Sequence, residues 1–246
     1  ELIAGPTLTD LVHRGPVPAV DAARYGCEIA EALSVIHGRG IVHRDVKPSN
    51  ILLRPPAHTG ERARATLADF GIAKVVSGGD ESTSNLTGTG MAMGTALYMS
   101  PEQARGLVDQ VGERSDVYSL GCMLYQMVTG ELPFRGTTPL AVIRQQIDDE
   151  PTPMRELRGD LTPALESLVE RAMAKDPDSR FQRVSDLSAA LRDALPEVET
   201  PERLRHESGL GVSLMHQLTD QTIIESGRDG TVVRLMINLR GSAGGR

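Results

Sequence analysis

The feature that most restricts what this chain can fold into is a pair of polar signatures bracketing two strand-length apolar runs. The first signature is His43-Arg44-Asp45-Val46-Lys47-Pro48-Ser49-Asn50 and the second is Asp69-Phe70-Gly71. Between them lie the apolar runs Asn50 to Leu53 and Ala65 to Ala68, separated by the polar, Pro-containing stretch Arg54 to Arg64, which suits a small hairpin. Singly, each polar residue has an ordinary explanation, because an Asp in a loop is usually a turn or cap residue and a lone Lys is usually solvated. Eight ordered positions followed by a second motif leave such explanations little room.

Helical periodicity surrounds this segment. From Pro18 to His37 the apolar positions Ala23, Cys27 and Ala30, with Ile29, Leu33 and Ile36, recur at three and four residues and stop at Gly38 and Gly40. A second helix starts at Ser115, read as its cap, carries Val117, Leu120, Leu124, Met127 and Val128 on one face, and ends at Gly130. Further helical patterns span Pro139 to Asp149, Pro163 to Ala174 and Val184 to Leu195, whereas Ser77 to Gly94 is an aperiodic, hydroxyl-rich loop. The predicted class is α+β, mainly helical. With 3% aromatics and no Trp, its core must be aliphatic. A net charge of -7 opposes a nucleic-acid or anionic-membrane surface. Cys27 and Cys122 sit within helical patterns and read as buried thiols. No apolar run approaches the roughly 20 residues of a membrane span, and no signal peptide opens the chain, so a cytoplasmic protein is expected. The chain opens at Glu1 without Met, and upstream sequence is expected to be missing.

The two signatures resemble the catalytic loop and metal-binding motif of eukaryotic-like protein kinases of the bacterial type. Moving a phosphoryl group from ATP to a hydroxyl requires an oriented nucleophile, cations on the polyphosphate and positive charge along the path. The resemblance implies that Asp45 accepts the hydroxyl proton, Lys47 neutralises the moving phosphoryl, and Asn50 and Asp69 hold Mg²⁺. Gly94-Thr95-Ala96-Leu97-Tyr98-Met99-Ser100-Pro101-Glu102 resembles the substrate-docking loop and the end of the activation segment, with Ser100 where most kinases carry Ala. It further implies that Glu102 pairs with Arg180 and that Asp116 holds the backbone of the catalytic loop, with His43, Phe70 and Gly71 as scaffold. Lys47 two residues after Asp45, together with Thr95, marks the Ser/Thr class in this family. Arg44 before Asp45 resembles kinases whose activation loop is ordered by phosphorylation. Thr87-x-Thr89 resembles the paired threonines autophosphorylated in bacterial receptor-like kinases; ordinary loop hydroxyls are the alternative.

Glu1-Leu2-Ile3-Ala4-Gly5 resembles the hinge between kinase lobes, where backbone groups of Glu1 and Ile3 would meet adenine and Leu52 would floor the ring. The stretch lacks a Gly-rich phosphate loop, a strand Lys and its helix Glu. Residues 1–195 are therefore expected to form a kinase-like C-lobe with one wall of the ATP site and little turnover alone. A linker, 196–206, leads to 207–240, where Glu207 to Met215 precedes two strands around Gly227-Arg228-Asp229-Gly230. This segment resembles the C-terminal part of a GHKL ATPase domain of the anti-sigma type, and a plain helix-plus-hairpin appendage explains the same residues. The tail, 241–246, is expected to be disordered. Two functions follow: an ATP- and Mg²⁺-dependent Ser/Thr kinase acting on protein substrates, or a non-catalytic kinase-like protein that binds a sigma factor or anti-sigma partner.

Overall fold

Thr7 and Asp10 start the first helix with a reciprocal cap. The Thr7 hydroxyl oxygen accepts from the Asp10 N–H at 3.4 Å, and the Asp10 carboxylate accepts from the Thr7 N–H at 2.7 Å. This helix, α1 (Leu8–Val12), is the first element of a computed structural model that describes residues 5–55, 62–68, 93–195, 221–227 and 230–236. Glu1, Ile3, Asp69, Phe70, Gly71, Thr87, Thr89, the linker, Glu207 to Met215 and the tail lie outside the described residues. The chain divides into two units, residues 1–199 and 200–246.

In the first unit the periodic stretch after Pro18 forms α2 (Ala19–His37). The chain then reaches a single 3-10 turn, Pro48–Asn50, and the two apolar runs pair as β1 (Ile51–Arg54) and β2 (Arg64–Leu67). The pairing is antiparallel, with Ile51 opposite Leu67 and Arg54 opposite Arg64. An added bond from the Ala68 N–H to the Asn50 carbonyl at 2.8 Å brings the two ends of the hairpin side by side. Six described helices follow: α3 (Met93–Ala96), α4 (Pro101–Ala104), α5 (Glu113–Thr129), α6 (Pro139–Asp148), α7 (Met154–Leu157) and α8 (Pro163–Ala172). Ser100, Thr138 and Thr162 cap α4, α6 and α8, each followed by a Pro that already has the helical φ and lacks the surplus N–H. The last helix of the unit is α9 (Val184–Ala194).

The core forms around α5. Val117, Tyr118, Leu120, Cys122, Met123, Leu124, Met127 and Val128 are all fully buried, so this helix is apolar on nearly every side and must be enclosed. Leu33 and Ile29 of α2, Val169 of α8, and Leu187 and Leu191 of α9 close around it. At Gly121 a Cβ would stand 3.0 Å from the Cβ of Ala172 and 2.9 Å from Met173 Cγ, so the absent side chain is what lets α5 approach α8. Gly130, at φ 76°, ends α5 in the left-handed conformation, as the sequence predicts. Cys27 and Cys122 are free and buried. Burial pushes the Cys122 thiol up to about 12 and raises that of Cys27, which makes both poor nucleophiles.

One sequence expectation is corrected here. Ser115 does not cap α5; the helix begins at Glu113, after Gly112. The Ser115 hydroxyl accepts from the Gly112 N–H at 3.1 Å and donates to the buried Glu102 carboxylate at 2.6 Å. A carboxylate distant in sequence claims its proton, and the chain starts the helix one half-turn earlier.

In the second unit β3 (Gln221–Gly227) and β4 (Gly230–Met236) pair antiparallel, with Gly227 opposite Gly230 and Ile224 opposite Val233. No described helix is long and apolar enough to cross a membrane.

Candidate active site

The loop between α2 and the hairpin is held from below by one carboxylate. Asp116, in the first turns of α5 and fully buried, accepts from the His43 N–H through Oδ2 and from the Arg44 N–H through Oδ1, each at 2.9 Å. His37, the last residue of α2, donates from Nε2 to the same Oδ2 at 2.8 Å. Hydrogen bonds to a charged acceptor are worth about 1.5–3 kcal/mol each, so the two from the loop firmly join it to the core while that from His37 holds the carboxylate in place. They are needed because Arg44 has φ 65°, the one positive value among described non-glycine residues. Holding an L residue there costs on the order of 1–3 kcal/mol and lasts only where surrounding bonds over-determine it.

Immediately after this residue the chemistry-bearing side chains converge. Lys47 Nζ lies 2.8 Å from Asp45 Oδ2 and donates to Thr95 Oγ1 at 3.5 Å. Asn50 Nδ2 donates to the Asp45 carbonyl at 2.8 Å and to Asp45 Oδ2 at 3.3 Å. The side chains of Asp45 and Lys47 keep 15% and 20% exposure, while Val46 between them is buried as an anchor. His43 approaches the Ala68 carbonyl through Nε2 at 3.3 Å, tying the loop to the end of β2, one residue before Asp69. Asp45, Lys47, Asn50 and Thr95 are thus brought together. Leu52 lies half-buried in β1, between its partner Thr66 and a bridge to Thr7.

The segment carrying Thr95 is tied to the core by bonds the sequence did not announce. Gln146 of α6 donates to the Leu97 carbonyl at 2.9 Å and accepts from the Tyr118 hydroxyl at 2.5 Å. The Tyr98 hydroxyl donates to Gln126 at 2.5 Å, and Ser119 donates to the Tyr98 carbonyl at 2.7 Å. Sequence reasoning missed His37, Gln126 and Gln146; a polar residue on an otherwise apolar helical face was the available signal.

Glu102 and Arg180 meet as the sequence resemblance implies. Both oxygens of Glu102 accept from the guanidinium at 2.9 Å, with side chains only 2% and 0% exposed. Burial would raise the Glu102 carboxyl, but the bonds and charge of Arg180 and the Ser115 hydroxyl outweigh it and hold it below its ordinary value.

The described residues thus form a helical lobe built on a buried central helix, with an Asp–Lys–Asn cluster at the mouth of a short hairpin. The protein kinase domain family matches residues 1–191, and the chain belongs to that family. It is 41% identical over 192 residues to the serine/threonine-protein kinase PknB of Mycolicibacterium smegmatis, covering 78% of this chain and 29% of that protein. It is 36% identical over 247 residues to PknB of Mycobacterium leprae, covering 95% of this chain and 38% of that one. The chain therefore spans about a third of the length of these curated relatives. Among solved structures, the Mycobacterium tuberculosis PknI kinase domain superposes with a TM-score of 0.58 at 24% identity, covering 79% of this chain and 64% of that one, which establishes the shared fold.

Proposed function

We propose that residues 1–195 are the mainly helical lobe of a bacterial-type Ser/Thr protein kinase that transfers the γ-phosphoryl of ATP to hydroxyls of protein substrates. The observation that carries this reading is the convergence of Lys47, Asn50 and Thr95 on Asp45. Asp45, fixed by Asn50 and Lys47, orients the attacking hydroxyl and takes its proton as the oxygen bonds to the γ-phosphorus and the bond from that phosphorus to the β,γ-bridging oxygen breaks, releasing ADP. Lys47 lies between Asp45 and Thr95, where positive charge meets the phosphoryl as it crosses to the substrate. Asn50 has committed its Nδ2 to Asp45, and its Oδ1, which accepts only a long 3.4 Å bond from the Ser49 hydroxyl, keeps a lone pair as a hard oxygen donor for a cation. Asn50 would hold Mg²⁺ together with Asp69, and the ion would supply charge neutralisation at the phosphates. Thr95 and Lys47 support Ser/Thr over Tyr acceptors, and Leu52, with the backbone of Glu1 and Ile3, would take the adenine. Thr87 and Thr89 are proposed phosphorylation sites, with Arg44 as the partner of the added phosphate.

For residues 207–240 the antiparallel β3–β4 hairpin supports an appended module. A GHKL-type identity and a sigma-factor or anti-sigma partner rest on the sequence resemblance alone.

The test uses the natural full-length protein, ATP, Mg²⁺ and a basic protein substrate. Asp45→Asn should abolish phosphate transfer at retained folding. Undiminished labelling by the variant would overturn the assignment.

A further inference from the structure

The peptide unit directly before Asp45 is gripped from two sides, and only one grip belongs to the motif pattern. At one end its N–H, that of Asp45, donates to His43 Nδ1 at 3.3 Å, while Asp116 accepts the Arg44 N–H of the preceding unit at 2.9 Å. At the other, the Arg44 carbonyl accepts from Nε2 of Gln103 at 2.8 Å. That carbonyl and the Asp45 N–H belong to the same planar peptide unit, so holding the oxygen sets the plane from which Asp45 projects. The hold matters at this residue because Arg44 has φ 65°, a conformation an L residue leaves readily once its bonds are removed. Relaxation there would turn the peptide and swing the Asp45 carboxylate away from Lys47 and Asn50.

Gln103 divides its amide between two tasks. Its Oε1 accepts from the Ser100 N–H at 3.1 Å and the Ser100 hydroxyl at 3.0 Å, which completes the capping box of α4. A cap of this kind needs only an oxygen at the third helical position, and Glu serves it as well as Gln. The amide nitrogen is required by Arg44 alone. The bond also crosses a seam between two separately positioned segments. A cavity of about 10 Å³, room for no more than about one water, is lined there by Arg44, Asp45, Thr95, Tyr98, Gln103 and Ser119. The segment carrying Thr95 and the loop carrying Asp45 therefore meet directly, and Gln103 joins them.

We propose that Gln103 is a positioning residue for phosphoryl transfer, acting through the Arg44 carbonyl to hold Asp45 in register with Thr95. The proposal rests on the kinase reading above. Its consequence is that the start of α4 and the geometry of the proton acceptor are coupled: a change that disturbs the cap shifts Asp45, and a change that spares the cap but removes the nitrogen does the same.

Two variants of the full-length protein separate these effects. Gln103→Glu keeps the capping oxygen and sets a carboxylate oxygen against the Arg44 carbonyl. We expect kcat to fall about tenfold or more, the loss of one hydrogen bond with added repulsion, at unchanged KM for ATP and a Tm within about 3 °C of wild type. Ser100→Ala weakens the cap and leaves the Gln103 amide nitrogen in place, so it should lose more Tm and less kcat than Gln103→Glu. This crossing of the two readouts is what a purely structural role of Gln103 does not produce. A Gln103→Glu protein with kcat within about twofold of wild type, or with a loss that only tracks its unfolded fraction, overturns the proposal. Equal labelling by wild type and Asp45→Asn would instead overturn the kinase reading, so the two failures are distinct.

Discussion

Glu102→Gln removes half of a buried ion pair while conserving shape, and its effect can be worked from the bonds present. Arg180 uses all five of its N–H donors: Nε to the Ala174 carbonyl at 2.7 Å, Nη1 to Glu102 and the Arg114 carbonyl, and Nη2 to Glu102 and the Lys175 carbonyl. It also lies 4.9 Å from the centre of the Tyr118 ring. Gln at position 102 would turn one acceptor into a donor that faces the guanidinium, leaving a fully buried positive charge without its counter-charge. Such one-sided removal costs about 3–5 kcal/mol. For a unit the size of residues 1–199, each kcal/mol shifts Tm by about 2–4 °C, which places the expected fall near 10 °C. Arg180→Met should also be costly, but less so at low pH, where the stranded carboxyl takes up a proton. The pair Glu102→Gln with Arg180→Met should be less damaging than the two single changes added, by at least about 2 kcal/mol, in urea unfolding. Because Arg180 also serves three backbone carbonyls, the double variant still falls below wild type. Additivity within about 0.5 kcal/mol would refute the pairing as the source of the stability.

The same pair makes the fold acid-sensitive. The folded Glu102 carboxyl lies below its ordinary value of 4.5, so its stabilisation is complete above that pH and is lost as pH falls through the folded value; Glu102→Gln should flatten this limb of a Tm–pH curve. Asp116→Asn leaves one oxygen for the two N–H groups of His43 and Arg44, and should lower kcat roughly 10- to 100-fold in a phosphate-transfer assay, with little change in KM for ATP. Gly121→Ala should destabilise the unit by about 1–3 kcal/mol in chemical denaturation although Ala is the better helix former, because Ala172 stands 3.0 Å from the added Cβ. A stability gain in that variant would show that α5 and α8 can separate freely.

Much of the fold is legible wherever the pattern is repetitive. The spacing of Ala23, Cys27, Ala30 and Leu33 locates α2, and the burial of Val117, Leu120 and Leu124 follows from theirs in α5. Short elements escape because helices of 5 and 4 residues give no periodicity: α1 announces itself only through Thr7 and Asp10, and α4 through Ser100, Pro101 and Gln103. The hairpin is legible to within a residue at each strand end. Ser115 is misleading for a physical reason, since a Ser before an apolar run is usually a cap and here its proton goes to Glu102.

The chain alone determines the chemistry available: an Asp, a Lys and an Asn within six positions, and a Thr, a Glu and an Arg at distances that match a known family. It does so because side-chain type and order are properties of the chain itself. Which groups share a proton or a charge is decided by tertiary structure. His37 joins Asp116 because α2 ends beside the start of α5, and Gln103 reaches Arg44 because α4 is docked against the loop. These are hydrogen bonds between residues 59 and 79 positions apart, and no local rule selects them. Packing α2 against α5, and α4 against α6 in a second apolar cluster, brings them within 2.8 Å, and the left-handed Arg44 before Asp45 depends on that convergence.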